Sequence, residues 1–152
     1  NYIDPKHLQK MLDDGKEIYL LDTRNKYEIN IGTFKNSKNL NILKFEDFIK
    51  KSNELKKLKG EVVMFCTGGI RCEKAQGYLN EKGIHNFKQL KGGIINYLIE
   101  TDGKYWDGEC FVFDDRITLD KELNPTYKNL CPNCQVIINS IDRTNCECSI
   151  PV

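Results

Sequence analysis

The residues best able to do chemistry are Cys66, Thr67, Gly68, Gly69, Ile70 and Arg71. An apolar run, Val62-Val63-Met64-Phe65, reads as a buried strand, and it breaks at Cys66-Thr67-Gly68-Gly69. A helical pattern follows at once, with Ala75, Tyr78 and Leu79 as its apolar positions and Gly83 as its stop. Cys66 therefore falls at a strand-to-helix junction, near the positive end of the helix dipole and near Arg71, both of which favour thiolate over thiol. Gly68 and Gly69 can each take positive φ, which would turn several backbone N–H groups into an anion-binding concavity above Cys66. The chemistry is that of a nucleophilic sulfur beside a socket for a negatively charged group. A cysteine that merely closed a core strand would need neither the Gly-Gly turn nor the arginine.

Around this loop, the spacing predicts strands that alternate with helices. Asp4 and Pro5 open a helix with an apolar stripe of Leu8, Met11 and Leu12, and Gly15 ends it. Ile18-Tyr19-Leu20-Leu21 is a buried strand finishing at Asp22. Phe45, Phe48 and Ile49 mark a helix, and Leu55 with Leu58 a second short one. Asn86 to Leu90 is a further strand, and Lys91-Gly92-Gly93-Ile94 opens a helix that reaches Tyr97 and Leu98. This alternation implies an α/β fold, a central parallel sheet flanked by helices whose strand C-termini share one functional edge. Asp22 and Cys66 both fall on that edge.

At 152 residues the chain can bury one good core, and 39% apolar with 30% charged residues describes a soluble globular protein. No apolar run of about eighteen residues exists to span a membrane. The start, Asn1-Tyr2-Ile3-Asp4, has neither an initiator methionine nor a signal peptide, so a longer parent chain and a reducing, cytoplasmic setting are expected. The net charge of +1 hides an uneven distribution. From Lys35 to Lys59 the local net is +5, and from Glu100 to Glu122 it is −5. The lysine-rich stretch suits either phosphate contact or a solvated helix surface.

The segment Cys66 to Arg71, with four residues between cysteine and arginine, resembles the active-site loop of the rhodanese family. The related cell-cycle phosphatases have one residue more there, which widens the cradle for phosphate, so the resemblance points to sulfur as the atom held. Asp22-Thr23-Arg24-Asn25-Lys26-Tyr27-Glu28 followed by Ile31-Gly32-Thr33-Phe34 is similar to the first rhodanese signature, departing from it at Lys35-Asn36-Ser37. In it Asp22 and Arg24 are expected to pair as structural support beneath the loop. Leu90-Lys91-Gly92-Gly93-Ile94 resembles the second signature, whose glycines allow close backbone approach.

Taken with these, Trp106-Asp107-Gly108-Glu109-Cys110-Phe111-Val112-Phe113-Asp114-Asp115-Arg116 narrows the resemblance to the rhodanese-containing tRNA uridine hydroxylases. That family converts wobble uridine 34 of tRNA to 5-hydroxyuridine in an oxygen-dependent reaction. The resemblance implies tRNA as partner, Cys66 as the persulfide cysteine with Arg71 beside it, and Thr67, Gly68, Gly69 and Ile70 as the binding cradle. It further implies a rhodanese-like domain over 1–116, extended from about 101, a cysteine-rich tail over 117–152, and another domain upstream. The alternative is a thiosulfate-type sulfurtransferase, using a small sulfur donor and the same Cys66 persulfide.

Seven cysteines leave at least one unpaired. In the tail, Cys131 and Cys134 form a Cys-x2-Cys knuckle, and Cys146 and Cys148 a tighter Cys-x-Cys. Structural zinc, a loosely ordered thiol tail and disulfides are all open for these four, and no other cofactor is called for. His7 and His85, the only histidines, offer no two-histidine iron site, and no Gly-x-Gly-x-x-Gly run suggests a nucleotide cofactor. Cys72 either resolves a persulfide as a disulfide or is simply buried.

Overall fold

The computed structural model describes residues 1–126, with the backbone of 128–130 and 137–139. Five parallel strands form the central sheet: β1 (Tyr2–Ile3), β2 (Tyr19–Asp22), β4 (Lys38–Asn39), β5 (Val62–Phe65) and β6 (Phe87–Leu90), in the order β1-β6-β5-β2-β4. The β5 run is buried on both faces, as a central parallel strand must be. Its alternation sorts the core into two layers: Val63 and Phe65 face one side with Leu8, Ile94 and Tyr97, while Val62, Met64 and Cys66 face the other with Phe48, Ala75 and Leu79.

Helices cover both layers. On the first side lie α1 (Pro5–Asp13), with Pro5 at its first position as expected, and α5 (Gly93–Glu100). On the second lie α3 (Glu46–Lys51) and α4 (Ile70–Glu81), and a 3-10 turn over Ser52–Lys57 follows α3. A short α2 (Lys26–Ile29) leads from β2 into β3 (Gly32–Phe34), which pairs antiparallel with β7 (Trp106–Gly108). That pairing brings the segment after α5 into the body of the fold. Trp106 is fully buried, and Phe34 meets Phe65, Tyr97 and Trp106 edge to face at centroid distances of 4.9, 4.8 and 5.2 Å. Trp106, in the segment beyond the last helix of the strand–helix alternation, thus belongs to the core.

Beyond β7, β8 (Cys110–Phe111) and β9 (Thr118–Leu119) form an antiparallel hairpin, and hydrogen bonds continue to Thr126, whose amide donates to the Thr118 carbonyl at 3.1 Å. The backbone then forms β10 (Lys128–Leu130) and β11 (Ile137–Asn139), paired antiparallel. The candidate zinc ligands Cys131, Cys134, Cys146 and Cys148 lie outside the described residues. Among the described residues, no helix is long and apolar enough to cross a membrane.

Candidate active site

The turn between β5 and α4 carries Cys66. Gly69 caps α4 with φ of +100°, and its amide donates to Cys66 Sγ at 3.0 Å. Gly68 is not left-handed: one glycine at positive φ turns the chain, where the sequence suggested two. From the opposite side α5 braces the loop, its Ile94 and Ile95 amides donating to the Cys66 and Thr67 carbonyls at 2.9 and 3.1 Å. Such an approach needs a residue without a side chain. At Gly93, φ +70°, a Cβ would stand 2.5 Å from the Thr67 carbonyl oxygen. The close approach expected of Lys91-Gly92-Gly93-Ile94 is therefore aimed at the cysteine loop itself.

Cys66 is 1% exposed, yet its thiol is held down at a pKa of about 6. Hydrogen bonding from the Cys72 thiol is the main cause. Burial opposes it, and the Cys72 amide, the Arg71 charge and the Gly69 amide then tip the balance to thiolate. The Cys72 thiol is pushed the other way by its own burial and by the Cys66 charge, so the pair holds one proton, on Cys72. Thr23 locks the pair to the sheet: its Oγ1 donates to the Phe65 carbonyl at 3.0 Å and lies 3.6 Å from Cys72 Sγ. Cys72→Ala is expected to move the Cys66 ionisation midpoint upward toward that of an ordinary thiol, and Cys72→Ser to move it less. Thiol alkylation rate followed against pH checks this.

Arg71 does not face solvent. Its Nη1 and Nη2 donate to the two carboxylate oxygens of Glu28 at 2.6 and 2.8 Å, and Nη2 also reaches Thr67 Oγ1 at 3.3 Å. Burial works against the Arg71 charge, and Glu28 more than offsets it, so the guanidinium pKa lies above its ordinary value. Glu28 is fully buried and also accepts the Asn25 amide at 3.0 Å. Sequence reasoning gave it no role. The available signal was the Asn25-x-x-Glu28 spacing of a capping box, which places the carboxylate at the start of α2 but does not announce its second partner.

Asp22 and Arg24 pair as expected, with Nε and Nη2 of Arg24 donating to Asp22 at 2.9 and 2.7 Å, both side chains fully buried. What they clamp is the β3 turn rather than the cysteine loop: Arg24 Nη2 donates to the Gly32 carbonyl at 2.6 Å and Thr33 Oγ1 to Asp22 at 2.7 Å. Thr23, between them, makes the link to the loop.

A cavity of 310 Å³ opens over the loop, lined by Cys66, Thr67, Gly68, Ile70 and Arg71 on one wall and by Val112, Phe113, Asp114 and Arg116 on the other. Thus Thr67, Gly68 and Ile70 are wall, while Gly69 supplies the amide. The second wall is the tip of the β8–β9 hairpin, tied down by the Val112 amide to the Ile117 carbonyl at 2.8 Å and by Thr67 Oγ1 to the Phe111 carbonyl at 3.5 Å. Cys110 lies apart from the cavity lining, and burial raises its thiol to about 11. Among the described residues, no three His, Cys, Asp or Glu side chains gather as metal ligands.

The rhodanese-like domain model matches residues 4–100, from the residue before α1 to the end of α5. The chain belongs to the rhodanese-like domain family. Beyond the family match, this rhodanese-like domain is 46% identical over 145 residues to the tRNA uridine(34) hydroxylase of Pelagibacter ubique, covering 94% of this chain and 48% of that one. It is 40% identical over 152 residues to the tRNA uridine(34) hydroxylase of Synechococcus elongatus, covering 97% and 56%. The chain thus spans about half the length of these curated relatives. Among solved structures, it is similar to a rhodanese-like domain from Anabaena sp., with a TM-score of 0.57 at 20% identity over 70% of this chain and 78% of that one. It is also similar to a thiosulfate sulfurtransferase from Pseudomonas aeruginosa, with a TM-score of 0.56 at 18% identity over 70% and 20%. These two structures share its fold.

Proposed function

We propose that this chain is the rhodanese part of a tRNA uridine(34) hydroxylase, a cytoplasmic tRNA-modifying oxidoreductase, and that Cys66 is its nucleophile. The observation that carries the reading is Cys66 at the floor of a ligand-sized cavity, with an amide and a guanidinium beside it and its pKa held down to about 6, in a chain nearly half identical to enzymes of that name. The Cys66 thiolate attacks the sulfane sulfur of a small donor: one S–S bond forms at Cys66 as the donor's S–S bond breaks, and the donor leaves as a thiolate or sulfite. The persulfide so formed keeps its negative charge against the Gly69 amide and Arg71. Exposed lysines on and around α3, Lys44, Lys50, Lys56 and Lys57 among them, supply a charged approach for tRNA phosphates.

The test is made in cells whose intact gene carries Cys66→Ser. 5-Hydroxyuridine at the wobble position, measured by mass analysis of tRNA nucleosides, is expected to fall at least tenfold. Unchanged wobble nucleosides, together with loss of sulfur transfer from thiosulfate, would instead support a plain sulfurtransferase.

A further inference from the structure

The hairpin tip over Cys66 carries a feature that sulfur chemistry does not use. Phe113 is 65% exposed, yet its ring is fixed in place. The Arg71 guanidinium lies 5.3 Å from its centroid, and Phe111 meets it edge to face at 4.9 Å. Phe111 is in turn held by Tyr27, again edge to face, at 5.4 Å. An exposed ring so braced is a ready platform, because its ordering cost is met before any ligand arrives. Ile70, 74% exposed, stands on the opposite wall of the same cavity. Two of the six large hydrophobic side chains left exposed among the described residues thus flank one mouth, with the thiolate at its floor.

Charge at the mouth has a complementary arrangement. Arg116 is half exposed beside the cavity, aligned by Asp114 through Nε at 3.0 Å to Oδ1 and Nη2 at 2.6 Å to Oδ2. The Asp114 carboxylate also accepts the Arg116 amide at 2.9 Å, so the turn and its guanidinium are fixed together. A flat apolar face next to the mostly buried Arg71 and the half-exposed Arg116, each aligned by its own carboxylate, suits a planar π-system with an anionic group attached. At 310 Å³ the cavity stands at the small end of ligand sites, a fit for one base and its sugar. Single-stranded RNA presents that ligand: an unstacked base for the ring and a phosphate for the arginines.

We infer that Phe113 is a base-stacking residue, on which an unpaired pyrimidine of an RNA loop is laid with its edge toward Cys66 while Arg116 holds a flanking phosphate. This rests on the tRNA reading above and supplies its specificity element. Stacking on one aromatic ring accounts for about a tenfold or greater share of affinity.

The experiment uses the intact protein and two anticodon stem-loop RNAs, one with uridine at the wobble position and one abasic there. Phe113→Ala is expected to weaken binding of the uridine RNA about tenfold or more and to leave the weaker binding of the abasic RNA unchanged, and Phe113→Trp to restore the uridine preference. Arg116→Gln should weaken both RNAs alike and lower the salt dependence of binding. If Phe113→Ala binds the uridine RNA as tightly as the unaltered protein, or loses both RNAs equally, the assignment is overturned. These binding ratios are read independently of hydroxylation. A failure of Cys66→Ser to change wobble nucleosides would count against the enzymatic reading and leave the stacking result standing.

Discussion

Asp22→Ala is expected to destabilise the fold by about 3–5 kcal/mol, the cost of leaving a buried charge without its partner. Asp22 accepts three hydrogen bonds from Arg24, through its amide at 3.1 Å and its guanidinium at 2.9 and 2.7 Å, and a fourth from Thr33. Arg24 is 0% exposed, lies 5.4 Å from the Trp106 ring centroid, and already has Nη1 without a hydrogen-bond partner. Without Asp22, the Gly32 carbonyl would be the one hydrogen-bond acceptor left to the guanidinium. Replacing both residues, as Asp22→Ala with Arg24→Met, removes the charge as well as its partner, and is expected to recover much of the loss. Urea unfolding of the single and double variants checks this, with the single variant the less stable of the two. A double variant worse than Asp22→Ala would mean that the pair contributes more than mutual neutralisation.

The second large effect belongs to a glycine. Gly93→Ala places a Cβ 2.5 Å from the Thr67 carbonyl oxygen and 2.6 Å from that of Cys66, at φ +70°. Left-handed strain of about 1–2 kcal/mol adds to a backbone clash of about 1–3 kcal/mol, so roughly 2–5 kcal/mol is expected. The N-terminus of α5 must then back away from the cysteine loop, breaking the bonds from the Ile94 and Ile95 amides. Gly68→Ala is the informative contrast. Nothing lies within 4 Å of a Cβ there and φ is not positive, so stability should change by no more than about 0.5 kcal/mol. Thermal unfolding of the two alanine variants should separate them plainly, although one lies in the cysteine loop and the other packs directly against it.

These two sites show what the sequence could and could not tell. Val62-Val63-Met64-Phe65 is apolar throughout, and burial on both faces follows from that, as does a cysteine at the C-terminal edge of a parallel sheet. The turn at Gly69, the break at Asp22 and the helix after Gly93 are likewise local events written in local residues. Partners across the fold are not. The local spacing of Glu28 could at most mark a cap, because Asn25 is three residues away, whereas Arg71 is forty-three residues on and adjacent only after folding. From sequence, Cys72 is either a buried or a resolving thiol; its role as hydrogen-bond donor to Cys66 depends on the pitch of α4 and on Thr23 behind it. The same holds for the Val112–Arg116 tip, whose place over the cavity is set by the pairing of β3 with β7 some seventy residues apart in the chain.

Cys72, Arg71 and Gly69 together outweigh burial at Cys66 and hold its sulfur ionised at neutral pH. The most direct test is the thiolate absorbance of the protein titrated against pH, taken as the difference from Cys66→Ser. With the folded pKa lowered, ionisation should rise through a midpoint near pH 6. About nine-tenths of Cys66 would then be thiolate at pH 7, against roughly three-hundredths for an unperturbed thiol. A single rise centred near pH 9, with no thiolate signal at pH 7, would contradict the account.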